Sequence, residues 1–234
     1  MIDKTVQDCA QAVADVFDGA TIMIGGFGDP GVPGRLIEAL REQGARDLCI
    51  IHNGAGGGDF SLGGLILDGR VRKLIASFPN GAGSTSFRDR YLKGEIELEL
   101  VPQGTLSERI RAAGAGLGGF YTPTAAGTEL ARGRETRVIE GREYVFELPL
   151  RADFAFIKAH RGDRLGNLVY RLAMRNFNPI MATAAKTVVA EVDELVQVGD
   201  LGLEEVHTPG IFVDRLVQAS RHPKLFAPPK KASA

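Results

Sequence analysis

Short apolar runs and amphipathic segments alternate through the first half of the chain, and this alternation limits the folds open to it. Residues 6–17 and 33–43 place apolar side chains at helical spacing. Apolar runs of strand length lie at 21–24, 48–51, 74–77 and 96–101. Strands that recur about every 25 residues with helices between them need crossover connections, which pair the strands in parallel. The pattern predicts an α/β fold with an open, mostly parallel sheet flanked by helices.

The second half of the chain has a different pattern. Two runs of strand length, 136–140 and 143–148, are joined by a Gly-Arg turn and predict a β-hairpin. Further strands are predicted at 154–159 and 186–192, with turns at 161–163 and 165–167. This half therefore adds a β-rich portion to the sheet. We expect one domain over 1–226 and a disordered tail over 227–234, where two prolines and two lysines leave little to bury.

Two local patterns make finer predictions. Residues 96–100 alternate strictly between apolar and acidic, which predicts a half-exposed strand near a sheet edge or a domain face. Thr105 and Glu108 have the spacing of a capping box, which predicts a helix that begins near Thr105 and ends in the glycine-rich stretch 114–119.

Composition excludes several classes of protein. The net charge of −1 argues against binding to nucleic acid or to a membrane surface. No apolar run approaches the roughly 18 residues of a membrane span, and no leader pattern opens the chain, so a cytoplasmic protein is expected. Two cysteines and four widely spaced histidines predict no metal site. His52 is the best placed of the histidines but is isolated in the pattern.

The segment 26–31 reads Gly-Phe-Gly-Asp-Pro-Gly and fits the G-x-G-x-x-G pattern of dinucleotide-binding proteins. That reading also needs an acidic residue at the end of the second strand, where this chain has His52 and Asn53. Pro30 also removes a backbone donor from the loop. A dinucleotide-dependent oxidoreductase is therefore disfavoured. The loop is either a tight turn without a ligand or a site that receives a phosphorylated ligand through backbone N–H groups and a helix N-terminus.

Longer stretches carry a more specific resemblance. Residues 18–27, followed by Gly31 and Pro33, resemble the first signature of the 3-oxoacid coenzyme A (CoA) transferases. Similar blocks lie at 102–106, 120–124 and 175–178. The chain is similar to the whole A subunit of the two-subunit enzymes of this family. The resemblance implies that CoA thioesters are substrates and that no cofactor is bound permanently. It also implies a CoA-binding loop made of Gly25, Gly26, Phe27, Gly28, Asp29, Pro30 and Gly31.

The same resemblance implies a partner chain. In this family the B subunit carries a glutamate in a Ser-Glu-Asn-Gly segment, and this glutamate attacks the thioester and holds CoA as a glutamyl-CoA intermediate. The present chain contains no Glu-Asn-Gly, and its glutamates at 38, 97, 99 and 108 lie in contexts that favour structural roles. A heterodimer or heterotetramer with a B subunit is therefore expected.

The resemblance assigns Gln103 to the reaction, since it matches a glutamine that donates to the oxyanion. Asn53 is a candidate contact to substrate or CoA for a different reason: it lies at the end of a predicted strand, and open α/β sheets place ligands at the carboxyl ends of their strands. Succinyl-CoA is the expected donor, with 3-oxoadipate favoured as acceptor and acetoacetate second. A catalytically silent module that binds CoA or has a regulatory role is the alternative. The chain departs from the family pattern at His52-Asn53-Gly54 and at Ala125-Ala126.

Overall fold

The structure, a computed structural model, describes residues 2–56, 61–80 and 86–220. The helices are α1 (Cys9–Val13), α2 (Gly34–Gln43), α3 (Leu62–Leu67), α4 (Ser86–Leu92), α5 (Gln103–Gly114) and α6 (Asn178–Ala182). The strands are β1 (Thr21–Ile24), β2 (Leu48–Ile51), β3 (Val71–Ala76), β4 (Glu97–Leu100), β5 (Phe120–Thr122), β6 (Thr136–Ile139), β7 (Arg142–Glu147), β8 (Ala152–Asp163), β9 (Leu168–Val169), β10 (Ala185–Val196) and β11 (Arg215–Gln218). Short 3-10 helices lie at Glu129–Ala131, Leu172–Arg175, Leu203–Glu205 and Gly210–Phe212.

The central sheet has eight strands, seven of them in the order β11-β10-β8-β1-β2-β3-β4 with β9 paired to β8. All neighbours in that order are parallel, and only the β8–β9 pair among the described strands of this sheet is antiparallel. The predicted α/β fold is confirmed. Because β1, β2 and β3 run side by side in parallel, their carboxyl ends meet at one edge of the sheet.

Strand β1 shows why the sheet is covered on both faces. Ile22 and Ile24 pack into one apolar cluster with α2, whereas Met23 packs into another with α5 and α6. Successive side chains of a strand point to opposite faces, so a strand that is apolar throughout needs a helical layer on each side. The described helices form those two layers. Among the described residues, no helix combines the length and the apolar character needed to cross a bilayer.

The additional β-rich portion is a separate three-stranded antiparallel sheet in the order β5-β7-β6. It contains the hairpin predicted from the two runs that flank Gly141-Arg142. Strand β4 lies at the edge of the central sheet, as predicted from its alternation. The tail predicted to be disordered, 227–234, lies outside the described residues.

Three predicted boundaries were wrong. Helix α1 ends at Val13, short of the predicted end at Phe17. Helix α5 begins at Gln103, directly after Pro102, so Thr105 lies buried inside its first turn and does not cap it. The predicted turn at 161–163 is strand, because β8 stays in register with β10 as far as the Asp163–Val196 pair. Long-range pairing overrode the local turn signal in this last case.

Candidate functional site

A cavity of about 640 Å³ opens at the edge where β1, β2 and β3 end and α5 begins. The described residues that line it are Phe27, Gly28, Asp29, His52, Asn53, Gly54, Gly56, Ser77, Phe78 and Gln103. Open parallel sheets place ligands at the carboxyl ends of their strands, and this cavity occupies that position. Of the residues predicted to act on substrate or CoA, Phe27, Gly28, Asp29, Asn53 and Gln103 lie together here.

Asn53 and Gln103 form one hydrogen-bonded unit with a third residue, Ser77. The Asn53 Oδ1 atom accepts hydrogen bonds from Gln103 Nε2 at 2.7 Å and from Ser77 Oγ at 2.8 Å. With its oxygen engaged, the Asn53 side chain has its Nδ2 hydrogens left to offer a ligand, and Gln103 has one of its two N–H groups left. The site is therefore a cluster of neutral amide donors.

Sequence reasoning missed Ser77. It lies directly after β3 and was predicted to be the last residue of that strand. Because β2 and β3 end side by side, the residues that follow them come together, and Ser77 reaches the side chain of Asn53. Its position after a strand next to that of Asn53 was the signal available in the sequence.

Gln103 is the first residue of α5 and is exposed at the cavity surface. No side chain caps this end of the helix, because the N-cap position is occupied by Pro102. The N-terminus of a helix carries partial positive charge. Gln103 therefore presents its amide where a developing negative charge is favoured.

His52 is buried at the cavity wall with 3 % of its surface exposed. Its Nδ1 atom lies 2.7 Å from the carbonyl oxygen of Ile24, which only accepts hydrogen bonds, so Nδ1 carries the ring proton. Burial lowers the pKa of His52 below its ordinary value of 6.5. The imidazole is therefore neutral at neutral pH, and Nε2 is its acceptor atom.

The 25–31 loop is a tight turn held by its own backbone. Gly26, Gly28 and Gly31 have positive φ angles of 119°, 62° and 77°, a region that favours glycine. The Phe27 N–H donates to the Pro30 carbonyl at 3.1 Å. Phe27, Gly28 and Asp29 line the cavity, whereas Gly25, Gly26, Pro30 and Gly31 are not among its lining residues.

The helix that follows this loop is not open to a phosphate. The N–H groups of Arg35 and Leu36, in the first turn of α2, donate to Glu191 Oε2 at 3.0 and 3.1 Å. Glu191 is 1 % exposed, and its other oxygen lies 3.0 Å from Lys158 Nζ. An internal carboxylate thus takes the donors that a phosphate would need. The hypothesis that this helix N-terminus receives a phosphorylated ligand was wrong, and the loop backbone alone remains for that role.

The glutamates expected to be structural all lie in ion pairs, and none is among the lining residues of the cavity. Glu38, Glu97, Glu99 and Glu108 pair with Arg35, Lys73, Arg109 and Arg111 respectively. Among the lining residues that the structure describes, Asp29 carries the sole carboxylate. Over the described ranges, no group of three or more histidine, cysteine, aspartate and glutamate side chains is placed to hold a metal ion.

Comparison with known proteins gives consistent matches. Residues 6–219 match the family described as Coenzyme A transferase. The A subunit of the 3-oxoadipate CoA-transferase of Pseudomonas putida is 57 % identical, with 94 % of this chain and 95 % of that protein covered. The protein of the same name from Acinetobacter baylyi is 52 % identical, with 97 % and 100 % covered.

A solved structure has the same fold. An acyl-CoA transferase from E. coli O157:H7, in a thioester complex with CoA, superposes with a TM-score of 0.82 at 23 % identity. The match covers 96 % of this chain and 49 % of that one, so this chain spans about half its length.

Proposed function

The chain belongs to the coenzyme A transferase family, and from that premise we propose that it is the A subunit of an enzyme that moves CoA from succinyl-CoA to a 3-oxoacid. The observation that carries this proposal is the amide cluster at the cavity, which consists of the side chains of Asn53 and Gln103 together with the Ser77 hydroxyl that holds Asn53. Neutral donors suit a reaction in which negative charge appears on a carbonyl oxygen and then leaves it, because they stabilise the oxyanion without exchanging a proton.

The proposed reaction proceeds by two exchanges at a glutamate of the partner chain. The glutamate oxygen attacks the thioester carbon of succinyl-CoA and expels the CoA thiolate, which leaves an acyl-glutamyl anhydride. The thiolate then attacks the glutamyl carbonyl, releasing succinate and forming glutamyl-CoA. The acceptor carboxylate repeats these steps in reverse. Each attack passes through a tetrahedral oxyanion, to which we assign the N–H groups of Gln103 and Asn53 as donors.

The 25–31 loop is proposed to contact CoA. Its residues Phe27, Gly28 and Asp29 lie at the cavity beside the amide cluster, which supports this assignment. No resident cofactor is required, since CoA enters and leaves as part of the substrates.

The acceptor is proposed to be 3-oxoadipate, with acetoacetate second. Support comes from two relatives more than half identical to this chain, both of which are named for 3-oxoadipate CoA-transferase. The discriminating measurement is the ratio of kcat/KM for the two acceptors, with succinyl-CoA as donor. A ratio in favour of acetoacetate would reverse the ranking and leave the reaction type intact.

The partner is proposed to be a B subunit with a Ser-Glu-Asn-Gly segment, in a heterodimer or heterotetramer. The test is to follow CoA exchange by this chain purified with and without that partner. We expect exchange only in the complex, and an adduct of CoA less water on the B subunit when the acceptor is withheld. Exchange by this chain alone, or an adduct on Asp29, would refute the partner's role. A complex that binds CoA thioesters without exchanging CoA would favour the silent module.

A further inference from the structure

The side chain of Asn178 links the 25–31 loop to the rest of the fold. Asn178 begins α6 and has none of its surface exposed. Its Oδ1 atom accepts a hydrogen bond from the backbone N–H of Lys158 in β8 at 2.9 Å. Its Nδ2 atom donates to the carbonyl oxygens of Met174 at 2.7 Å and Gly31 at 3.1 Å. One buried amide thus joins a central strand, a 3-10 helix and the loop.

Two glycines of the loop leave space for this amide. A Cβ atom at Gly25 would lie 1.8 Å from Asn178 Oδ1, and one at Gly31 would lie 2.6 Å from Asn178 Nδ2. Gly25 is not among the positive-φ glycines, so its backbone conformation alone would accept a side chain. The absence of a side chain at Gly25 is therefore explained by contact with Asn178. Gly28 differs, because its φ is positive and a Cβ there would meet nothing closer than 3.9 Å.

The 25–31 loop, which Asn178 holds in place, forms part of two cavities. Phe27 lines the 640 Å³ cavity and also a second cavity of about 290 Å³. Asn176 also holds the loop, since its Nδ2 donates to the Pro30 carbonyl at 2.9 Å. Asn178 is not among the lining residues of either cavity, so any effect it has on a ligand must pass through the loop.

We propose that Asn178 is a positioning residue that fixes the 25–31 loop, and with it Phe27 and Asp29, at the rim of the cavity. The proposal rests on the proposed function, because it takes this cavity as the place where CoA is exchanged. Both N–H groups of the amide have carbonyl acceptors and its oxygen accepts from Lys158 N–H, and a buried amide held on both sides keeps a single arrangement. Because Phe27 and Asp29 depend on this amide for their place at the cavity, displacing the loop should lower catalysis in addition to stability.

The first test uses Gly25→Ala, Asn178→Ala and the double variant, each purified in complex with the partner chain. Gly25→Ala pushes the loop away from Asn178, and a displacement of about 1 Å lowers kcat/KM about 100-fold. Asn178→Ala removes the atoms that a methyl group at position 25 would meet. We therefore expect the double variant to recover about tenfold over Gly25→Ala, because residues in contact couple. Effects that multiply without recovery would overturn the proposal.

A matched control is Gly114, the last residue of α5, which contacts Thr183 at the C-terminal end of α6. A Cβ atom at Gly114 would lie 2.0 Å from Thr183 Oγ1, and neither residue lines the two cavities. Gly114→Ala should lower Tm as Gly25→Ala does while leaving kcat/KM unchanged. An equal loss of kcat/KM in the control would show that Gly25→Ala acts through general destabilisation, which would also overturn the proposal.

If Asn178→Ala does not fold, a second variant tests the same proposal. In Asn178→Asp the side chain keeps its size and shape. When ionised, its carboxylate cannot donate to the Met174 and Gly31 carbonyls. When protonated, it can donate one hydrogen bond. The variant's kcat/KM relative to the native complex should therefore rise as pH falls from about 8 to about 6. A flat ratio would overturn the proposal. Absence of exchange in the native complex would instead refute the proposed function, and the coupling of positions 25 and 178 would then be read from Tm.

Discussion

Replacement of Gln103 by alanine tests the amide cluster most directly. Gln103 Nε2 gives one hydrogen to Asn53 Oδ1 and keeps one for a ligand, so Gln103→Ala removes a single oxyanion donor. Loss of one such donor costs about 3–4 kcal/mol in the transition state, which is a fall in kcat of about 100- to 1000-fold. Asn53 keeps its hydrogen bond from Ser77, which limits how far its own donors move.

The structure also predicts how this effect combines with a second substitution. Gln103 and Asn53 share a hydrogen bond at 2.7 Å, so each single variant also loosens the other residue. A neutral hydrogen bond is worth about 1 kcal/mol, so the double variant should lose less than the sum of the single losses by about that amount. The oxyanion exists only in the transition state, so kcat should fall while KM holds.

The assay is steady-state CoA exchange from succinyl-CoA to 3-oxoadipate in the complex with the partner chain. Gln197→Ala is a matched control, because Gln197 is exposed beyond the end of β10 and is not among the residues that line the cavity. We expect it to match the native complex. A fall of less than about tenfold for Gln103→Ala would remove Gln103 from the oxyanion site, and a rise in KM with unchanged kcat would assign it to substrate binding.

Two further predictions concern stability, each measured by urea unfolding of the chain. Burial holds the pKa of His52 below 6.5, so the unfolded chain binds a proton that the folded chain excludes, and stability is lost as pH falls below that value. His52→Asn should therefore lose less stability between about pH 7 and pH 5 than the native chain, and equal losses would contradict this. Glu191→Ala should cost about 3 kcal/mol, because it removes a charge-assisted hydrogen bond from the buried Lys158, which keeps Asp193 as a partner, and uncaps α2. Glu108→Ala, which removes a half-exposed pair with Arg111, should cost at most about 1 kcal/mol, and similar costs for both would refute the argument.

The positions of some strand ends at the site could be predicted from the local sequence pattern. The strand ends of β2 and β3 were within a residue of their predicted places, since apolar runs act locally, whereas α5 begins ahead of its predicted start near Thr105. Parallel pairing then brings those ends to one edge, which places Asn53 beside Gln103 although 50 positions separate them. The role of Gln103 came from a family resemblance and that of Asn53 from its place at a strand end, and both stay predictions.

The sequence by itself predicted the parallel pairing of the strands, and with it an edge where their carboxyl ends meet. Only the tertiary structure decided which polar groups remain for a ligand there. Glu191 closes the N-terminus of α2 from 156 positions away, and Asn178 reaches Gly31 across 147. Periodicity and turn chemistry act over a few residues and carry no information at such separations, whereas buried polar groups must find partners wherever the packed chain brings them.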